Sequence, residues 1–209
     1  MRGPCDESRG GAIVALGCGR DQQFLCCGQA PHLVEVPFAV VRESGQVQTL
    51  SSLSRAASRA GLYRDQPLRD AHAVSADLRT ARRNRHAEAG FLEALLRWAG
   101  KFSPWVAGDG GDGLMLDVTG CTHLFGGEAA MLRDIRSRFA LQGLTTRVAM
   151  APTPGAAQAL ARFGSGAQLC GAEDVATALA PLPVAALRLD AQTTRLLDRL
   201  GLKTIGALS

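Results

Sequence analysis

Between two apolar extended segments the chain carries Gly108-Asp109-Gly110-Gly111-Asp112-Gly113. A run of glycine and aspartate continues neither a helix nor a strand, so the chain must reverse there. Pro104-Trp105-Val106 enters extended, and Leu114-Met115-Leu116-Asp117-Val118-Thr119 leaves as a strand ended by Gly120. The spacing predicts a tight hairpin.

Other chemistry for this run is excluded on its residues. A calcium loop needs alternating acidic ligands closed by a bidentate glutamate, and Glu128 lies too far along. A phosphate cradle needs a lysine and a hydroxyl after its glycines. Asp112 and Asp117 are five apart, which on a strand sets them on opposite faces. A paired metal site is therefore not expected from them, and Asp117 is expected to bond backbone amides at the strand end. The histidines (32, 72, 86, 123) are dispersed, and no Gly-x-Ser-x-Gly nucleophile elbow occurs.

Periodicity supplies the remaining elements. Ala12–Leu16, Phe38–Val41 and Gln46–Leu50 read as strands, the last two joined through Ser44-Gly45. Ser51–Ala60 has helical composition ended by Gly61, and Leu68–Val74 is a short helix after Pro67. Ala87–Trp98 carries an apolar stripe of period 3.6. Glu128–Leu141 does the same with Met131, Leu132, Ile135 and Phe139. Thr146–Ala151 is a strand, Pro154 opens a helix to Arg162, and Gln192–Leu200 is helical. Gly164-Ser165-Gly166 marks the best candidate boundary. The order predicts an α+β fold, an antiparallel sheet with helices on one face.

With 46% hydrophobic residues in 209, the chain has material for a sizeable core. No apolar run approaches the roughly 18 residues of a spanning helix. Asp6 and Glu7 precede a short apolar stretch, which does not make an export signal. The six cysteines (5, 18, 26, 27, 121, 170) form no Cys-x-x-Cys pair and predict reduced residues in a cytoplasmic protein without zinc. The basic residues are 21 Arg and two Lys. Their excess sits in residues 42–101, where 11 basic face 6 acidic side chains, densest at Arg79, Arg82, Arg83 and Arg85. Such a patch reads either as a nucleic-acid footprint or as a solvated helix face.

Leu114-Met115-Leu116-Asp117-Val118-Thr119-Gly120 resembles the palm of Y-family (UmuC/DinB-like) translesion DNA polymerases. The resemblance runs from Phe102-Ser103-Pro104 through Val148-Ala149-Met150-Ala151 into the segment Thr153–Arg162. Pro37–Val41 and Ala57–Leu62 match the fingers, and Leu200–Leu208 matches the start of the thumb. Asp117–Glu128 and Ala180–Leu189 resemble the ImuB-type branch of that family. The layout implied is a first palm strand at 12–20, a fingers-like region at 21–75, palm at 76–165 and a partial helix-hairpin-helix thumb at 166–209. The little finger is outside the match, so a fragment or a truncated product is expected.

The departures shape the function. The family holds two magnesium ions with three carboxylates for in-line displacement. The first of these positions aligns near Gly17, and the adjacent pair aligns with Asp112 and Gly113. Only Asp112 survives, as a vestigial catalytic residue, and a lone carboxylate does not clamp two divalent ions. The family's triphosphate-gripping tyrosine and arginine align with Arg55 and Ser58, and Leu187-Arg188-Leu189 replaces a Gly-apolar-Gly hairpin.

The resemblance thus implies a catalytically inactive adaptor in SOS translesion mutagenesis and DNA repair, with no cofactor. Its implied partners are damaged or primer–template DNA, a sliding clamp, an ImuA-type protein and an error-prone C-family polymerase, with no membrane. The implied DNA contacts are Arg55, Arg59, Arg79, Arg82, Arg83, Arg85 and Lys203. Two alternatives remain. One is an active polymerase with magnesium that recruits Asp109 and Asp117 beside Asp112. The other is a non-functional remnant.

Overall fold

The computed structural model describes residues 12–18, 36–45, 47–142, 144, 146–165 and 168–208. Cys5, Cys26, Cys27, His32, Asp6, Glu7 and the stretch 19–35 lie outside the described residues, as does Gln46. The chain divides into two compact units. One takes the chain up to residue 17, then 96–137 and 147 onward; the other takes 18–95 and 138–146. The boundaries drawn at 75/76 and 165/166 do not coincide with that division.

The first unit is built on a five-stranded sheet of order β5-β6-β1-β7-β8. Its strands are β1 (Ile13–Cys18), β5 (Trp105–Asp109), β6 (Gly113–Asp117), β7 (Thr146–Ala151) and β8 (Gln168–Leu169). β6 pairs antiparallel with both β5 and β1, but β7 and β8 run parallel. The sheet is thus mixed rather than antiparallel. The reason is the crossover: helix α5 (Pro154–Phe163) separates β7 from β8, and a strand–helix–strand crossover returns the chain in the same direction. Thr153 caps α5, its Oγ1 accepting the Ala156 amide at 3.3 Å, and Pro154 occupies the first turn, where no amide donor is needed.

The core of this unit forms where alanine-rich α5 meets the sheet. Ala15, Ala149 and Ala151 pack with Ala156, Ala157, Leu160 and Ala161, and with Leu182 and Ala186 from beyond β8. Apolar side chains from both sides of the candidate boundary at 164–166 share this core. Helix α4 (Glu128–Leu141), whose residues from 138 on belong to the other unit, buries Met131, Leu132, Ile135 and Phe139, the stripe its periodicity predicts. Each such side chain contributes about 1.5–3 kcal/mol on burial. Two short helices follow, α6 (Val175–Leu179) and α7 (Ala191–Arg199), with 3₁₀ turns at Thr122–Phe125, Val184–Leu187 and Ile205–Leu208. Among the described residues no helix is long and apolar enough to cross a membrane.

The second unit has a three-stranded sheet of order β3-β2-β4. The hairpin of β2 (Phe38–Ser44) and β3 (Val47–Leu53) pairs Ser44 with Val47, and Gly45 takes φ +64 at its turn. Strand β3 runs on to Leu53, so the helix expected at 51–60 shrinks to α1 (Arg55–Arg59). Two interactions decide this. Ser51 donates its hydroxyl to the Val40 carbonyl at 3.0 Å, and Ser54 caps α1 by accepting the Ala57 amide at 3.1 Å. Tertiary pairing overrides local composition here. Helix α2 (Leu68–Val74) forms as expected. The core comprises Ala39, Val41, Leu50, Leu53, Ala57, Leu62, Ala71 and Leu78. Strand β4 (Arg79–Arg82) runs parallel to β2 at the sheet edge, and α3 (Arg85–Ala99) starts from its exit.

Candidate functional site

The Gly/Asp run folds as the hairpin its composition demands. Asp109 on β5 is opposite Gly113 on β6, so residues 110–112 make the reversal. Gly110 sits at φ +67, a left-handed conformation that glycine enters without a steric penalty. The turn leaves Asp109 and Asp112 close in space, as the ends of a four-residue turn are.

Arg162, in the last turn of α5, reaches both aspartates. Its Nη2 donates to Asp112 Oδ1 at 2.6 Å and its Nη1 to Asp112 Oδ2 at 3.1 Å, a bidentate pair. The same Nη2 lies 3.4 Å from Asp109 Oδ2 and 3.3 Å from the Asp109 carbonyl oxygen. Arg188 closes the cluster from the other side, its Nη1 3.1 Å from Asp109 Oδ1. Arg188 takes φ +58, the left-handed region that glycine favours, in the segment that the family resemblance sets against a Gly-apolar-Gly hairpin. Arg147 donates to the Arg162 carbonyl at 2.7 Å and satisfies an acceptor at the end of α5. The Asp112 hydrogen bond holds the Arg162 guanidinium above its ordinary pKa, with burial opposing and the Asp112 and Asp109 charges adding.

The structure brings the carboxylates of Asp109 and Asp112 to one guanidinium. Asp117 stays separate. It lies opposite Ile13 and Trp105, and its Oδ1 accepts the Thr119 amide at 3.0 Å, the amide-bonding role expected of it. Gly17 on β1 is the direct partner of Gly113 on β6. The family resemblance sets one missing carboxylate near Gly17 and another at Gly113, and these two glycines meet across one antiparallel pair. A two-magnesium site does not fit these residues: two positions offer no side-chain oxygen, and Asp112 already binds a cation. Arg162 is the residue that sequence reasoning missed. Its only signal was a basic residue in the last turn of a helix, which names no partner.

The basic candidates divide. Arg55 and Arg59 are exposed on α1, one helical turn apart. Ser58 between them has a buried hydroxyl with no hydrogen-bond partner among the described residues. Arg79 and Arg82 are exposed on edge strand β4, three residues apart and hence on opposite faces. The dense basic stretch is therefore a strand and a helix start, not one helix face. Arg82, Arg83 and Arg85 line a cavity of about 670 Å³ with Arg42, Glu43 and Asn84. Arg42 gave no signal in the sequence beyond its place on β2.

Two of these arginines are committed. Arg83 donates Nε and Nη2 to Glu88 at 2.7 Å each, which raises its pKa against the desolvation of burial. Arg42 Nη2 lies 2.6 Å from Asp65 Oδ1. Arg82 is only loosely held, 3.6 Å from Glu43, and Arg85 is exposed at the start of α3. Lys203 is exposed in the other unit, its carbonyl accepting the Val184 amide at 3.0 Å.

The pattern of the IMS (impB/mucB/samB) family matches residues 23–162. Protein ImuB from two strains of Caulobacter vibrioides is 50% identical over 146 residues, which is 70% of this chain and 32% of the relative. The chain thus spans about a third of the length of the curated relatives it matches. Among solved structures, DinB from Sulfolobus solfataricus superposes with a TM-score of 0.72 at 16% identity, over 92% of this chain and 58% of that one. The insertion ternary complex of Dbh DNA polymerase gives 0.75 at 16% identity with the same coverage. At that identity these structures show the fold alone, the palm and fingers of Y-family polymerases. With the family pattern covering more than half its length, the chain belongs to the impB/mucB/samB family, the UmuC/DinB-like Y-family.

Proposed function

We propose that this chain is a non-catalytic, DNA-binding module of the Y-family type that serves DNA repair and translesion synthesis. One observation carries the reading: Gly17 opposes Gly113 where carboxylates are needed, and the one retained carboxylate, Asp112, is spent on Arg162. Without three carboxylates no pair of divalent ions lines up a primer hydroxyl against a triphosphate.

The module's work is then to hold nucleic acid and partners. Exposed Arg55, Arg59, Arg79, Arg82 and Arg85, with Lys203, are cations for phosphate contacts that position without reading bases. Arg83 contributes to the cavity's field while tied to Glu88. The similarity to ImuB supports an adaptor role in damage-induced mutagenesis. The partners that follow are a sliding clamp, an ImuA-type protein and an error-prone C-family polymerase.

The test is primer extension with Mg²⁺ and with Mn²⁺, beside DNA binding at low and high salt. The proposal expects no extension and salt-sensitive, sequence-blind binding. Extension abolished by Asp112→Asn would establish the rival reading, an active polymerase. The approach of Asp109 to Asp112 is the observation that favours that rival.

A further inference from the structure

Arg162 Nη2 stands among three oxygens: Asp112 Oδ1, Asp109 Oδ2 and the Asp109 carbonyl. Two carboxylates and a backbone carbonyl converging on one point are the donors that hard divalent cations select. A guanidinium nitrogen occupies that point. Asp109 is the more deeply buried carboxylate, its side chain only 9% exposed. A buried carboxylate needs a compensating charge, or it destabilises the fold. Arg162 and Arg188 supply two positive charges to the two aspartates, so the cluster is neutral by itself.

The cation is also a permanent one. Arginine stays protonated at any working pH, and its planar fork fits the Asp112 carboxylate bidentately. It arrives on the C-terminal turn of α5, whose Ala156, Ala157, Ala159, Leu160 and Ala161 form the core with Ala149 and Ala151 of β7. The helix therefore carries the charge to the hairpin as it packs.

We propose that Arg162 is a built-in cation that fills the Asp109–Asp112 pocket in place of a divalent metal, and so closes the one retained carboxylate to magnesium. This rests on the non-catalytic reading and gives it a structural cause. The unit keeps its hairpin, α5 and the segment around Arg188 together with no metal requirement.

The test follows Mn²⁺ uptake by the full chain, read as loss of the free-ion EPR signal, and thermal unfolding in EDTA and in Mn²⁺ at matched ionic strength. Wild type is expected to show no Mn²⁺ uptake that depends on Asp112, and the same melting temperature in both buffers. Arg162→Met is expected to melt lower in EDTA, to gain one Mn²⁺ site and to recover stability when it is filled. Adding Asp112→Asn to Arg162→Met should remove that site. Arg162→Lys keeps the charge and should remain indifferent to metal. If Arg162→Met does not fold in EDTA, refolding in Mn²⁺ decides: recovery supports the proposal and failure overturns it. Wild-type uptake abolished by Asp112→Asn, or an Arg162→Met variant that gains no site, also overturns it. Primer extension by wild type is a separate readout, which would sink the non-catalytic reading whether or not the Arg162→Met site appears.

Discussion

Gly17 on β1 lies directly opposite Gly113 on β6 in the antiparallel ladder. Side chains at such a pair sit about 4.5–5.5 Å apart, so two carboxylates there would face each other. Two glycines leave this pair without side-chain charge on either strand. One carboxylate introduced alone therefore has no facing carboxylate with which to share a metal. Gly113 is buried, so Gly113→Asp carries a charge into the sheet. The expected cost is about 1–3 kcal/mol, read by urea unfolding, with no gain of primer extension. A stable Gly113→Asp protein that extends primers would show the site to be nearer catalysis than this geometry allows.

Asp112→Asn probes the neighbouring ion pair. The partners are about a quarter exposed, 25% for Arg162 and 27% for Asp112. That places the pair between surface pairs, worth up to about 1 kcal/mol, and fully buried ones, whose disruption costs about 3–5 kcal/mol. Loss of about 1–3 kcal/mol is expected, and the double variant Asp112→Asn/Arg162→Met should lose less than the sum of the single changes. Additive losses would mean that the two side chains do not act as a pair.

The basic cavity yields a contrast between two neighbours. Arg83 is held by Glu88 and faces structural duty, whereas Arg85 is exposed at the mouth of α3. Arg83→Ala is expected to lower stability by about 1 kcal/mol and to change DNA affinity little. Arg85→Ala should leave the melt unchanged, weaken DNA binding and reduce the slope of log affinity against log salt by about one. Equal effects of the two substitutions on binding would remove the distinction.

Gly164 follows α5 at φ −71, so its glycine is not needed for backbone freedom. Space is the constraint. A Cβ there would lie 2.5 Å from the Leu160 carbonyl oxygen and 2.5 Å from Gln168 Oε1. The Gln168 side chain can swing away, but the carbonyl belongs to the helix. Gly164→Ala is expected to destabilise by about 1–3 kcal/mol, the range for overpacking, measured by thermal unfolding. An unchanged melting temperature would show that α5 relaxes there without cost.

What the sequence makes legible depends on whether the signal is local. The α4 stripe of Met131, Leu132, Ile135 and Phe139 is written in a period of 3.6 and is buried as read. The reversal at 110–112 is written in glycine. Strand β4 is not legible, because Arg79 and Arg82 carry no strand pattern; it exists through pairing with β2, forty residues upstream. The extension of β3 through Ser51 and Ser52 has the same cause. Arg162 reads as an ordinary helix-end arginine until the hairpin fifty residues earlier is folded against it. The retained and lost carboxylate positions came from family resemblance, while the pairing of Gly17 with Gly113 needed the strand register.

Helix α7 titrates through its cap. Asp190 Oδ1 accepts the Gln192 and Thr193 amides at 2.8 and 2.9 Å, and Oδ2 accepts the Thr193 hydroxyl at 2.6 Å. The Thr193 side-chain hydrogen bond, followed by the Thr193 amide, holds the carboxyl below its ordinary pKa. A carboxyl whose folded value is depressed stabilises fully above its unfolded value, and that contribution fades as pH falls through the folded value. The helix is expected to fray only in acid below the usual carboxylate range, seen as a loss of far-UV circular dichroism. Asp190→Asn keeps an acceptor for the amides without a titrating group, so its acid profile should flatten there. Asp190→Ala should fray at every pH. An Asp190→Asn protein with the wild-type acid profile would place the titrating group elsewhere.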